Sequence, residues 1–378
     1  MYKEINNDHE LRKLLVKGMT YTKLAFQDVD FGPVSELAQE CWFSDCIFLG
    51  GNCVNGLKTR MDDKCLVFPS FKDIPYNTFR NCLYNVSSLY EGYIYGVPES
   101  YEDCFDAKVY KHFLNTGKLS TGIRETLARF LHDHAMTDAV NDFLAGFDER
   151  SIVGIMGGHG LSRTDPIYRQ VALMSKHLTE QGCLMVSGGG PGAMEATHLG
   201  AWLAGRKDET IDEALQILSA APEFNDRLWL ETALNVMTHF PSPKYVSLGV
   251  PTWLYGHEPA TPFATHIAKY FDNSKREDSI LTIAKGGVIY SPGSAGTMQE
   301  IFQDAVQNHY LSFGYASPMI FFGKDYWTEE MPVYPLMQHL CSKGKYRNLM
   351  ISLTDSTDEA VKAIIDFKNS GTEADDGC

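Results

Sequence analysis

The chain has 378 residues, 44% hydrophobic and 21% charged, an ordinary globular balance with room for two or three domains. Its 33 basic and 48 acidic residues leave a formal charge of −15, which argues against broad nucleic-acid binding, because that requires basic patches to displace counterions. The sequence has no apolar run of about 18 residues and no apolar signal core after MYKEINNDHELRKLL, so neither a membrane partner nor secretion is expected. The expected location is the cytoplasm.

Residues 1–107 carry no assignable chemical motif. Short apolar runs such as LAFQDVDF and CIFLGG, broken by Gly, Pro and Asn, read as short strands and turns of a smaller mixed α+β region. Phe26 and Phe31 are five residues apart, as are Phe43 and Phe48; two such pairs are too few to define a repeat. Six of the nine cysteines fall between Cys41 and Cys104 with no CxxC pair, so a zinc ribbon or thioredoxin site is not expected and buried free thiols are. Residues 108–148 read as a helical linker, with Leu127, Phe130 and Leu131 at helical spacing.

From residue 149 to 368 the pattern becomes strand, glycine loop, helix, repeated. SIVGIMGG, CLMVSGGG, YVSLGV, GGVIYS, SPMIFFG and LMISL read as strands. The stretches from Tyr168, Ala193, Ser279, Thr297 and Asp358 read as helices, and residues 207–240 as a mostly helical insert. Strands alternating with helix-length crossovers specify a parallel sheet, so the fold class is α/β: a Rossmann-like parallel sheet with helices on both faces, preceded by the smaller region. The polar segment 369–378 reads as a disordered tail.

Three loops carry the candidate chemistry. Ser187-Gly188-Gly189-Gly190-Pro191-Gly192 joins a strand to the helix opening at Ala193, Met194 and Glu195. Glycines there allow a ligand close to the backbone, and a helix N-terminus favours an anion. Gly293-Ser294-Ala295-Gly296-Thr297 likewise follows a strand and opens a helix that carries Glu300 one turn in. Gly157 and Gly158 follow the first strand, with Arg163 nearby as a phosphate partner. Loops at the carboxyl ends of parallel strands can share one crevice. A carboxylate beside that crevice suits a sugar hydroxyl or a water better than a phosphate. Each feature also has a purely structural reading: tight turns for the glycines, helix-dipole pairing for Glu300, a solvated loop for Arg163.

SIVGIMGGHGLSRTDPIYR, VSGGGPGAMEATHLGA and SPGSAGTMQE together resemble the LOG family, often called lysine decarboxylase-like, over about residues 150–325. Its hallmark PGGxGTxxE is met here by PGSAGTMQE, with serine at 294 in place of glycine. The resemblance implies a nucleoside 5′-monophosphate phosphoribohydrolase, which splits the N-glycosidic bond into free base and ribose 5-phosphate. By that resemblance Glu300 acts at the ribose and Arg276, in a Lys-Arg rather than Arg-Lys pair, is the second catalytic residue. It further implies a phosphorylated nucleotide partner, no cofactor, and a homodimer or higher homo-oligomer. His257 and Glu258 of YGHEP are base-side candidates; HEPAT lacks the second histidine of HExxH, so no metal is expected. The alternative on the same fold is a non-catalytic nucleotide carrier or sensor.

Overall fold

A computed structural model describes residues 2–52, 56–119, 122–256 and 258–370. The chain divides into two compact units, Met1–Leu83 with Lys108–Phe143, and Tyr84–Ala107 with Leu144–Cys378. These boundaries differ from those expected at 107 and 148. The helical segment groups with the first unit, and the segment before it groups with the sheet domain. In chain order the elements before Ile152 are β1 (Lys3–Ile5), α1 (Asp8–Leu14), β2 (Thr20–Thr22), β3 (Leu24–Gln27), α2 (Ser35–Gln39), β4 (Trp42–Ser44), β5 (Ile47–Leu49), β6 (Leu66–Phe68), α3 (Val86–Leu89), α4 (Phe105–Asn115) and α5 (Ile123–Leu144).

In the first unit every ladder is parallel: β1-β3-β5-β6 form one sheet and β2-β4 a second. Thr20 pairs with Trp42, Ala25 with Ile47 and Ile47 with Leu66, so the chain returns to the same place after roughly 20 residues, as in a solenoid. Lys23 and Asp45 take positive φ at matching corners of successive turns, and the Lys23 amide donates to the Asp45 carbonyl at 3.1 Å. The two five-residue phenylalanine pairs are its interior. Phe26 stacks on Phe48 at 4.9 Å and meets Phe31 at 5.3 Å, while Phe43 meets Phe48 edge-on at 5.4 Å. Those two pairs therefore do mark a repeating coil. Cys41 and Cys46 are free thiols buried in the same core, and Cys104 and Cys183 are buried free thiols elsewhere. The expected apolar face of α5 is corrected: Leu127 and Phe130 are exposed, and Ala128, His132, Ala135 and Met136 are the buried side.

The second unit continues with β7 (Ile152–Met156), α6 (Pro166–Glu180), β8 (Leu184–Ser187), α7 (Ala193–Leu203), α8 (Glu209–Leu218), α9 (Trp229–His239), β9 (Ser247–Gly249), β10 (His266–Ile267), α10 (Asn273–Ile283), β11 (Val288–Tyr290), α11 (Ala295–Tyr310), β12 (Pro318–Phe322), α12 (Val333–Ser342), β13 (Met350–Thr354) and α13 (Thr357–Ser370). The sheet is parallel throughout, in the order β10-β9-β8-β7-β11-β12-β13. Helices flank it. Val153, Ile155, Met185, Ile289 and Ile320 pack with Met174, Leu178, Leu199 and Ile364 of α6, α7 and α13. On the other face Tyr290 donates to Asp304 of α11 at 2.7 Å. α6 and α7 approach closely at Gly200, where a Cβ would lie 2.1 Å from the Ala172 carbonyl oxygen.

The strand order reverses beside β7, with β8 to one side and β11 to the other. At such a switch point the two following loops part to opposite faces and leave a crevice at the strands' carboxyl ends. The helices expected over 207–240 are α8 and α9, whereas the short β10 was not anticipated. The tail expected at 369–378 falls outside the described residues from 371 onward, and α13 runs to Ser370. Among the described residues no helix is long and apolar enough to cross a membrane.

Candidate functional site

The loops after β7 and β11 meet backbone to backbone. The Gly158 amide donates to the Pro292 carbonyl at 2.9 Å. A Cβ on Gly157 would lie 2.0 Å from Ser291 Oγ, and one on Gly293 would lie 2.8 Å from the Gly158 nitrogen. Glycine is required at both for this contact. Together they floor a cavity of about 330 Å³ whose walls include Met194, Tyr255, Glu258, Arg276, Glu277 and Glu300.

The two helix N-termini behave differently. Gly192, at φ +68°, caps α7, and the Ala193 amide donates to the Gly158 carbonyl at 3.1 Å, so this helix start is closed by protein. Gly189 is buried at φ +69° against Val250 and Pro251. Gly188 and Gly190 border a small cleft beside the main cavity, shared with Met194, Tyr255, Glu258 and Arg276. The start of α11 is open instead. Ser294, Ala295 and Gly296 are exposed to the cavity, and Ser294 makes no side-chain cap. Ser294 has φ −102°, so the position does not call for the positive-φ backbone that favours glycine. The first turn of this helix therefore faces the cavity without a side-chain cap, a setting whose amides and dipole favour an anion.

Three of the expected phosphate contacts are placed elsewhere. Arg163 is buried with all its donors taken: Nε donates to Glu195 Oε2 at 2.9 Å, Nη2 pairs with Glu195 Oε1, and Nη1 donates to Ala221 O at 3.0 Å and Thr232 Oγ1 at 2.8 Å. Glu195 is fully enclosed and also accepts from Tyr168 Oη at 2.9 Å. The pair clamps α7 against the segment between α8 and α9; neither residue lines the cavity. Ser187 is buried too. Its hydroxyl bridges to His198 Nε2 at 2.8 Å and accepts from the Gly189 amide at 3.1 Å, while His198 Nδ1 reaches Ser247 Oγ at 2.9 Å. Burial pushes the His198 imidazole down to about 3, so this link between β8 and β9 is neutral.

Arg276, Glu277 and Glu300 are brought together. Arg276 Nε donates to the Val250 carbonyl at 2.8 Å; its Nη1 is 2.7 Å from Glu277 Oε1 and 3.9 Å from Glu300 Oε1. Glu300 is 6% exposed. Burial raises its carboxyl to about 8, with Arg276 opposing the rise and Glu277 adding to it. One turn further, burial lifts Asp304 to about 7 despite the Tyr290 hydrogen bond. The cavity therefore presents the open first turn of α11, the buried Glu300 carboxyl, the Arg276 guanidinium and the Glu277 carboxyl. Glu277, Tyr255 and Gln299 were missed as lining residues; only the adjacency of Glu277 to Arg276 hinted at the first. Glu258 does line the cavity, 3.5 Å from His159 Nδ1. His257 lies outside the described residues.

The missing side chain at 188 holds Arg276 in place, because a Cβ there would lie 2.2 Å from Arg276 Nη2 and 2.4 Å from Met194 Sδ. Gly188→Ala is expected to weaken phosphate-ligand binding about tenfold by displacing the guanidinium, with a near-normal melting temperature; titration calorimetry and thermal unfolding check both halves.

No protein-family model matches this sequence, and no curated protein matches it. Among solved structures it is similar to TM1055, a structural-genomics target, at 20% identity over 57% of this chain and 98% of that chain, with a TM-score of 0.38. It is also similar to the molybdenum cofactor binding protein of the phototrophic bacterium Rippkaea orientalis, at 16% identity over 57% of this chain and 96% of that one, TM-score 0.34. The Moco carrier protein of Chlamydomonas rheinhardtii matches at 14% identity over the same shares, TM-score 0.34.

Proposed function

We propose that this protein hydrolyses the N-glycosidic bond of a nucleoside 5′-monophosphate, releasing the free base and ribose 5-phosphate. The observation that carries this reading is the buried Glu300 carboxyl beside Arg276, on the helix whose open start lines the same cavity. The phosphate binds the first-turn amides at Ser294–Thr297, which fixes the sugar one helical turn further along, beside Glu300. The base then extends toward Met194, Tyr255 and Glu258.

Glu300 supplies the proton that the leaving base needs. As the C1′–N bond breaks, its electron pair stays on the base nitrogen, which takes the Glu300 proton. The new carboxylate faces the oxocarbenium-like ribose and stabilises it. Water adds to C1′ and returns a proton to Glu300, closing the cycle without an oxidant or a cofactor. Burial makes this exchange workable near neutrality, since a carboxyl with an ordinary value would be ionised before the substrate arrived.

The test is incubation of the purified protein with a panel of nucleoside monophosphates and chromatography for free base. Base appearing from at least one nucleotide supports the hydrolase. No base from any of them, with clear thermal stabilisation by one, replaces it with a nucleotide carrier or sensor.

A further inference from the structure

Glu277 has one oxygen with a partner and one without. Its Oε1 takes the Arg276 Nη1 contact at 2.7 Å, and among the described residues no donor reaches its Oε2. The residue is 4% exposed and lines the cavity. A carboxyl oxygen stripped of water with no donor is unfavourable, and a ligand that brings a hydrogen-bond donor to it gains correspondingly. Arg276 Nη1 lies between Glu277 and Glu300, so the two carboxyl groups flank one guanidinium nitrogen. If Glu300 works at C1′, the nearest substrate donor on that side is the hydroxyl on the neighbouring carbon.

We infer that Glu277 is a substrate-contacting residue whose free Oε2 accepts a hydrogen bond from the ribose 2′-hydroxyl, making the site selective for ribonucleotides over 2′-deoxyribonucleotides. This inference rests on the hydrolase reading of the same cavity. A 2′-hydroxyl bond of this kind strengthens as the ring gains positive charge, so it aids the reaction as well as selecting the sugar. The opposite oxygen of Glu277 meanwhile holds Arg276 in place.

The experiment is titration calorimetry of the full chain with ribose 5-phosphate, 2-deoxyribose 5-phosphate and inorganic phosphate, beside base release from paired ribo- and deoxyribonucleotides. Wild type is expected to bind the ribose compound about tenfold or more tightly than the deoxy compound. Glu277→Ala is expected to bind the two sugars alike, with inorganic phosphate held more weakly as well, because Arg276 loses its 2.7 Å partner. Glu277→Gln separates contact from support: its amide oxygen still accepts from Arg276, but its amide nitrogen can only donate a neutral hydrogen bond to the hydroxyl oxygen, so the preference is expected to fall at least several-fold with Arg276 held. It also carries the test if the alanine variant fails to fold. Equal wild-type affinity for the two sugars, with phosphate binding and base release intact, overturns the role of Glu277 alone. A preference that survives in both variants overturns it as well. Absence of phosphate binding, sugar binding and base release together overturns the hydrolase reading and this inference with it.

Discussion

Glu300→Gln is expected to lower base release by about 10²–10⁴-fold while nucleotide affinity stays within a few-fold, because glutamine fills the same space but has no proton to give. The wild-type kcat/KM should fall as pH rises through about 8, where burial places the Glu300 carboxyl. A rate that instead climbs through that pH would show the ionised form at work and sink the acid role. Stability changes with the same ionisation. A carboxyl raised from its usual 4.5 to about 8 favours the folded state fully below 4.5, and that contribution is lost as pH rises to about 8. Asp304, raised from 3.8 to about 7, acts in the same direction over its own window. Denaturant unfolding at pH 5 and pH 8 should show wild type losing on the order of a few kcal/mol more than Glu300→Gln across that interval. An identical pH dependence in the two proteins would show that burial does not perturb Glu300.

Arg163→Met is expected to destabilise the fold by about 3–5 kcal/mol, since it strands the enclosed Glu195 carboxylate without its cation. Replacing both partners together, as Arg163→Met with Glu195→Leu, should recover most of that loss, because two apolar groups of similar size leave no uncompensated charge. Urea unfolding of the two single variants and the pair measures the coupling. Under conditions where Arg163→Met is folded, phosphate-ligand binding should match wild type, as the side chain does not line the cavity. Lost binding with unchanged stability would instead make this arginine a ligand group.

The β-strand and helix order of the larger unit was legible because its signals are local. An apolar run ending in glycines and followed by a 3.6-residue period fixes strand, turn and helix without reference to distant chain. The convergence of the loops after β7 and β11 was legible for the same reason, since parallel connection places both at the strands' carboxyl ends. Arg163 and Glu195 misled. An arginine beside a glycine loop and a glutamate at a helix start look the same from sequence whether they face a ligand or each other. The two are 32 positions apart, and only the packing of the β7–α6 loop against α7 pairs them. The coil of the first unit was half visible: its phenylalanine spacing was evident, but the parallel return of β3 onto β5 is a long-range pairing that two repeats do not announce.

By itself the sequence determined an acidic α/β protein with a parallel sheet, two glycine loops positioned at strand ends, and Glu300 one turn into the helix after the second. Those properties follow from composition and short-range periodicity, which the chain carries wherever it is read. The tertiary structure alone decided which helix start stays open, that of α11 and not α7, because a carbonyl from a third loop closes one and leaves the other. It also decided that Glu300 is buried beside Arg276 and that Glu277 keeps one oxygen unpaired. Burial and pairing depend on groups distant in the chain, and those are the quantities that move the Glu300 carboxyl to about 8.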